Sequence, residues 1–62
     1  MEHNNTYNLM NQMTQESKSL WRIKNVYAGE AQSDAEKTFW ATLAAQKETT
    51  IAELKSFIKQ SI

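Results

Sequence analysis

The sequence lacks the residues that cross-link or interrupt small folds. It has no cysteine, no proline, one glycine and one histidine in 62 residues. Disulfides are therefore excluded, as is a metal cluster built on histidine and cysteine of the kind that holds many small domains together. A chain of this length buries only about 60% of the surface that its unfolded form exposes. We therefore expect a marginal monomer that gains stability by associating with another chain.

An excess of charge of either sign is also missing. Seven lysines and arginines balance seven aspartates and glutamates, and the basic residues form no cluster. Proteins that bind nucleic acids collect phosphates with a positive field, so a nucleic-acid partner is not expected. No apolar run approaches the roughly 20 residues that cross a membrane, and residues 1–8 do not look like a secretory signal. We expect no membrane partner and a cytoplasmic location.

A helix start is encoded near the middle of the chain. Ser33 and Glu36 have the spacing of a capping box, in which the serine hydroxyl and the glutamate carboxylate each accept a backbone N–H of the other residue. Gly29, a few residues earlier, can take the left-handed conformation that ends many helices. The order predicted here is helix, short turn, helix.

The spacing of apolar residues defines the two helices. The first is predicted over residues 6–28, with Asn5 as its N-cap, and the second over residues 34–61. Residues 1–5 are expected to form a disordered tail, because nothing apolar ties their beginning down. The predicted fold is all-α, a single domain over residues 6–62 in the form of an antiparallel two-helix hairpin.

The apolar arc of the second helix is too wide for one partner helix to cover. Either the stripe with Trp40 and Ile51 or the flank with Phe39 and Phe57 should remain exposed in a monomer, and such surfaces usually mark interfaces. Two hairpins packed together would form a four-helix bundle and cover it. We therefore predict a homodimer whose interface contains the following residues: Trp21, Phe39, Trp40, Ala44, Ile51, Phe57 and Ile58.

Two charged residues interrupt the apolar faces. Glu16 lies between Met13 and Leu20 on the first helix, and Lys47 lies near the middle of the apolar arc of the second. A hairpin that turns near residues 31 and 32 places these two side chains opposite each other. We interpret them as a partly buried ion pair that sets the register of the hairpin. A catalytic acid or base is the other interpretation of such a pair.

Catalytic and cofactor-binding patterns are otherwise missing. The serines have no histidine on a predicted helix to serve as a base, and one glycine cannot build a phosphate-binding loop. The prediction is a protein that is not an enzyme and that carries no cofactor.

Residues 27–54 resemble one half of the ferritin-like and rubrerythrin-type bundles. In that family a helical hairpin carries a glutamate on its first helix and Glu-x-x-His on its second, often after an aromatic residue and Leu-Ala. Residues 39–50 resemble this string, with the sequence FWATLAAQKETT. In this match Lys47 takes the position of the glutamate, Thr50 that of the histidine, and Glu16 that of the first-helix ligand. The resemblance implies the bundle fold, with an ion pair in place of the metal.

A second match to the same family uses other residues. Residues 28–32, with the sequence AGEAQ, resemble the rubrerythrin string AGESQ, and this match makes Glu30 the ligand. The alternative function is therefore a half-sized or degenerate ferritin-like protein whose metal is held across a dimer by Glu16, Glu30 and Glu48. The leading hypothesis is a small non-catalytic protein that acts through self-association or through binding another protein, including docking on a partner's helix.

Overall fold

Two antiparallel α-helices make up most of the computed structural model, which describes the backbone of residues 2–62 and the side chains from residue 4 onwards. Helix α1 is Glu2–Arg22, and it continues into a π-helical segment, Ile23–Tyr27, and a 3₁₀ turn, Ala28–Glu30. Helix α2 is Asp34–Ser61. The all-α hairpin and the bounds of its second helix are confirmed. Neither helix in the described part of the chain is long and apolar enough to span a membrane.

Helix α1 begins earlier than predicted. It starts at Glu2, so Asn5 lies inside the helix and is not its N-cap, and residues 2–5 are helical rather than a disordered tail. Met1 lies outside the described residues. No proline or glycine interrupts residues 2–5, so nothing in the local sequence opposes an extension of the helix towards the N-terminus.

The end of the first helix also differs from the prediction. Gly29 has no left-handed conformation and lies within the 3₁₀ turn. The chain leaves the helical conformation at Ala31, whose φ and ψ are −63° and 137°. Before this turn the helix widens to i→i+5 hydrogen bonding, with the Ala28 N–H donating to the Ile23 carbonyl. The reversal therefore uses extended backbone at Ala31 and Ser33 and does not require the conformational freedom of glycine.

The predicted cap of α2 is present, with one change of partner. The Ser33 hydroxyl accepts the N–H of Glu36 at 3.2 Å, as expected. The Glu36 carboxylate, however, accepts the N–H of Gln32 at 2.7 Å rather than that of Ser33. Because Ser33 is fully extended, with φ of −146°, the neighbouring N–H of Gln32 is the one within reach of the carboxylate.

The core between the helices is thin. Among the described side chains only three apolar ones are buried, namely Ile23, Ala44 and Ile58. The remaining residues of the shared stripe, such as Leu9, Leu20 and Leu54, are half-buried. Each helix can shield only one side of its neighbour, so a hairpin of this length leaves much apolar surface in contact with water.

We expect the Gly29→Ala variant to be more stable than the original chain by about 0.5–1 kcal/mol in free energy of unfolding. The backbone at Gly29 is compatible with an L side chain, and an added Cβ would meet nothing within 4 Å. Denaturant unfolding followed by circular dichroism measures the change. The Ala45→Gly variant, at an exposed position inside α2, is the control and should lose a similar amount. A loss of stability in Gly29→Ala would contradict the right-handed turn.

Candidate functional site

An ion pair joins the middle of the two helices. The Lys47 Nζ lies 2.8 Å from Glu16 Oε1, and the two side chains are 24% and 15% exposed. The other carboxylate oxygen, Oε2, accepts a hydrogen bond from Gln12 Nε2 at 2.7 Å. Both oxygens of this half-buried carboxylate therefore have a donor. The structure brings together the two charged residues that interrupt the apolar faces of the sequence.

The surroundings of Glu16 favour its ionised form. The hydrogen bonds from Lys47 and then from Gln12 lower the pKa of the Glu16 carboxyl below its ordinary value, against a smaller opposing effect of burial. A carboxylate held charged by a neighbouring ammonium group is a poor general acid. The lowered pKa also makes this carboxylate a weak general base, because an efficient catalytic carboxyl has a pKa raised towards the working pH.

Two further polar links between the helices were not predicted from the sequence. The Lys24 Nζ lies 2.8 Å from Glu48 Oε2, with both side chains more than half exposed. At the open end of the hairpin the Thr6 hydroxyl donates to Ser61 Oγ at 2.9 Å, and the Ser61 hydroxyl donates to a backbone carbonyl of α2. Neither link interrupts an apolar pattern, so neither has a signal in the sequence. The hydrogen bond from Gln12 to Glu16 does have one, because residues four apart lie on the same face of a helix.

Aromatic rings cluster beside the turn. The Trp40 ring lies 5.1 Å from the ring of Tyr27 and 5.1 Å from that of Phe39, measured between centroids. The second pair is edge-to-face, a favourable arrangement for aromatic rings. Trp40 is half-buried as a result, while Phe39 remains 58% exposed.

The residues predicted for a dimer interface divide into two groups. Ala44 and Ile58 are buried within the hairpin, and Trp40 and Ile51 are half-buried there. These four side chains do not form an open face. Ala44 and Ile58 lie in the core of the hairpin itself, contrary to the prediction that they belong to a dimer interface. The stripe to which they belong faces α1, and the flank of Phe39 and Phe57 is the one left uncovered. Three of the predicted residues are more than half exposed, namely Trp21, Phe39 and Phe57.

The exposed aromatic residues lie on different sides of the hairpin, and Tyr7, which is 67% exposed, lies within about 40° of Trp21 around α1. At 100° per residue, Phe39 and Phe57 are five full turns apart on one edge of α2. We call this side the phenylalanine face; it contains Phe39, Gln46, Thr50, Glu53 and Phe57 of α2 and Asn8, Gln12 and Ser19 of α1. The other side we call the tryptophan face; it contains Met10, Ser17, Trp21 and Lys24 before the turn and Lys37, Glu48 and Lys55 of α2.

The two faces differ in charge. By this assignment the middle of the phenylalanine face has one charged residue, Glu53, and Glu30 and Glu36 line a groove with Phe39 beside the turn. The tryptophan face has three lysines and a glutamate. A cleft of about 610 Å³ lies at the open end of the phenylalanine face. Its lining consists of Asn5, Leu9, Phe57, Gln60 and Ser61. This face therefore combines exposed aromatic rings, few charges and a concave site.

Within one chain, the three carboxylates of the alternative metal site, which was predicted to be completed across a dimer, lie apart. Glu16 is bound to Lys47, Glu48 is bound to Lys24, and Glu30 is exposed in the 3₁₀ turn. Among the described residues no group of three or more histidine, cysteine, aspartate or glutamate side chains is placed to hold a metal ion. The side chain of His3 lies outside the described residues.

No family model, no curated protein and no solved structure matches this chain.

A double-mutant cycle tests the central pair. We expect Glu16→Gln and Lys47→Met to destabilise the hairpin singly and to lose less together than the sum, with a coupling free energy of about 1–3 kcal/mol. The exposed Lys24 and Glu48 pair is a matched control, and its coupling should stay below about 1 kcal/mol. Equal coupling for the two pairs, or additive effects of Glu16→Gln and Lys47→Met, would contradict the assigned role.

The stabilising effect of Glu16 should disappear at low pH. Because folding lowers the pKa of Glu16, its contribution is present in full above the unfolded value of about 4.3 and declines as the pH falls through and below that value. The difference in free energy of unfolding between the original chain and Glu16→Gln should therefore shrink from pH 6 to pH 3. A constant difference over this range would show that the carboxylate charge is not responsible.

Proposed function

We propose that this protein acts without catalysis, by associating through its phenylalanine face, and that its first partner is a second copy of itself. Two hairpins joined in this way form a four-helix bundle. The observation that carries the proposal is the exposure of Phe39 and Phe57, 58% and 55%, on one edge of a helix. Large aromatic side chains that are exposed to water on a surface without lysine or arginine are typical of the centre of a protein interface.

The surface area of the chain supports this proposal. Its accessible surface is 4836 Å², whereas a compact monomer of 7.2 kDa is expected to expose about 4,100 Å². The excess of about 700 Å² is close to the roughly 800 Å² that each partner buries in an interface of standard size. One face of the hairpin, 46 Å long and 15 Å wide, offers a comparable area.

The difference in charge between the faces favours the phenylalanine face over the tryptophan face. Interface centres are depleted of lysine and glutamate, since these lose hydration when they are covered. On the tryptophan face Lys37, Lys55 and the Lys24–Glu48 pair would all have to be desolvated around Trp21. On the phenylalanine face the charges to be accommodated are Glu53 and, at the turn end beside Phe39, Glu30 and Glu36.

Sedimentation equilibrium tests the proposed association. We expect a monomer–dimer equilibrium for the original chain and at least a tenfold weaker one for Phe39→Gln with Phe57→Gln, since each dimer loses four apolar side chains. Trp21→Gln, which removes an equally exposed aromatic residue from the other face, should leave the dissociation constant nearly unchanged. Circular dichroism confirms that each variant is helical. A monomer at every concentration, or an equal effect of Trp21→Gln, would overturn the proposal.

A further inference from the structure

The phenylalanine face carries a projecting ring at one end and a cleft at the other. Phe39 stands near the turn, with more than half of its surface in water. The cleft lies near the open end and is walled by Leu9 and Phe57. Eighteen residues separate Phe39 from Phe57, a distance of about 27 Å along α2. The ring and the cleft therefore lie on one straight edge of one helix.

We infer that a second copy docks on this face with its α2 antiparallel to the first, so that Phe39 of each copy enters the cleft of the other. This inference rests on the proposed self-association and names its geometry. A twofold axis that passes between the two copies of α2, level with the midpoint between Phe39 and Phe57, makes both ring-in-cleft contacts equivalent. A parallel arrangement would instead set ring against ring and leave both clefts open.

The contact at each end suits an aromatic ring. Inside the cleft the Phe39 ring meets the side chains of Leu9 and Phe57, and paired aromatic rings add specific attraction to the apolar area that they bury. The rim of the cleft carries Asn5 and Gln60, which are uncharged and able to form hydrogen bonds across an interface.

The surface between the two ends permits close approach of the helices. A shallow groove of about 410 Å³ on the outer side of α2 borders this surface. Its lining is uncharged, and Gln46 and Thr50 are the two of its residues that belong to the phenylalanine face. In the inferred register the two copies of Glu53 lie about 15 Å apart along the helices. This separation is nearly twice the Debye length at physiological ionic strength, about 8 Å, so repulsion between the two carboxylates is largely screened where they remain exposed to solvent.

Single cysteines test the register, because the chain has no cysteine of its own. In the antiparallel dimer, residue 46 lies near the axis and meets its own copy, whereas residue 35 lies about 39 Å from its copy and close to residue 60 of the other chain. With a short bis-maleimide, Gln46→Cys should cross-link to itself. Neither Ala35→Cys nor Gln60→Cys should do so alone, but a mixture of the two should yield the cross-linked heterodimer.

The other outcomes separate this inference from the proposed function. Self-linking of Ala35→Cys would show a parallel dimer, and linking of Ser17→Cys would show docking through the tryptophan face; either result overturns the inferred geometry. The same samples are examined by sedimentation. A dimer with the wrong cross-links leaves self-association standing, whereas a monomer at every concentration removes both.

Discussion

Two packed helices can bury only the stripe along which they touch, and this limit shapes the whole molecule. In a chain of 62 residues the stripe contains just three buried apolar side chains among those described, Ile23, Ala44 and Ile58. The apolar residues beside the stripe stay in water, since no third element covers them. The exposed aromatic faces are therefore a direct consequence of the small number of helices, and they are the reason to expect an association partner.

The polar links between the helices define how the hairpin closes. Glu16 and Lys47 meet at its middle, and Thr6 and Ser61 meet at its open end. Such contacts contribute little net stability where water can reach them. They nevertheless disfavour other registers, because sliding one helix past the other would leave half-buried charged groups without partners. With so thin an apolar core, this specificity is supplied largely by polar groups.

Local sequence signals predicted one helix better than the other. The start of α2 is set by Ser33, whose hydroxyl meets a donor only three residues away, so nearby residues contain all the information. The end of the first helix carries no such signal. Its widening over Ile23–Tyr27 and the right-handed conformation of Gly29 depend on how the chain meets α2, and the sequence pattern led instead to a left-handed cap.

The sequence by itself determined the two-helix architecture, the bounds of α2 and the identity of the two charges that face each other, because helical periodicity and a local cap encode each of these. Only the tertiary structure decided which flank of the wide apolar arc of α2 remains exposed. That choice depends on the rotation of α2 about its own axis relative to α1. Periodicity places residues around one helix, but the contacts of both helices are needed to orient that helix against its neighbour.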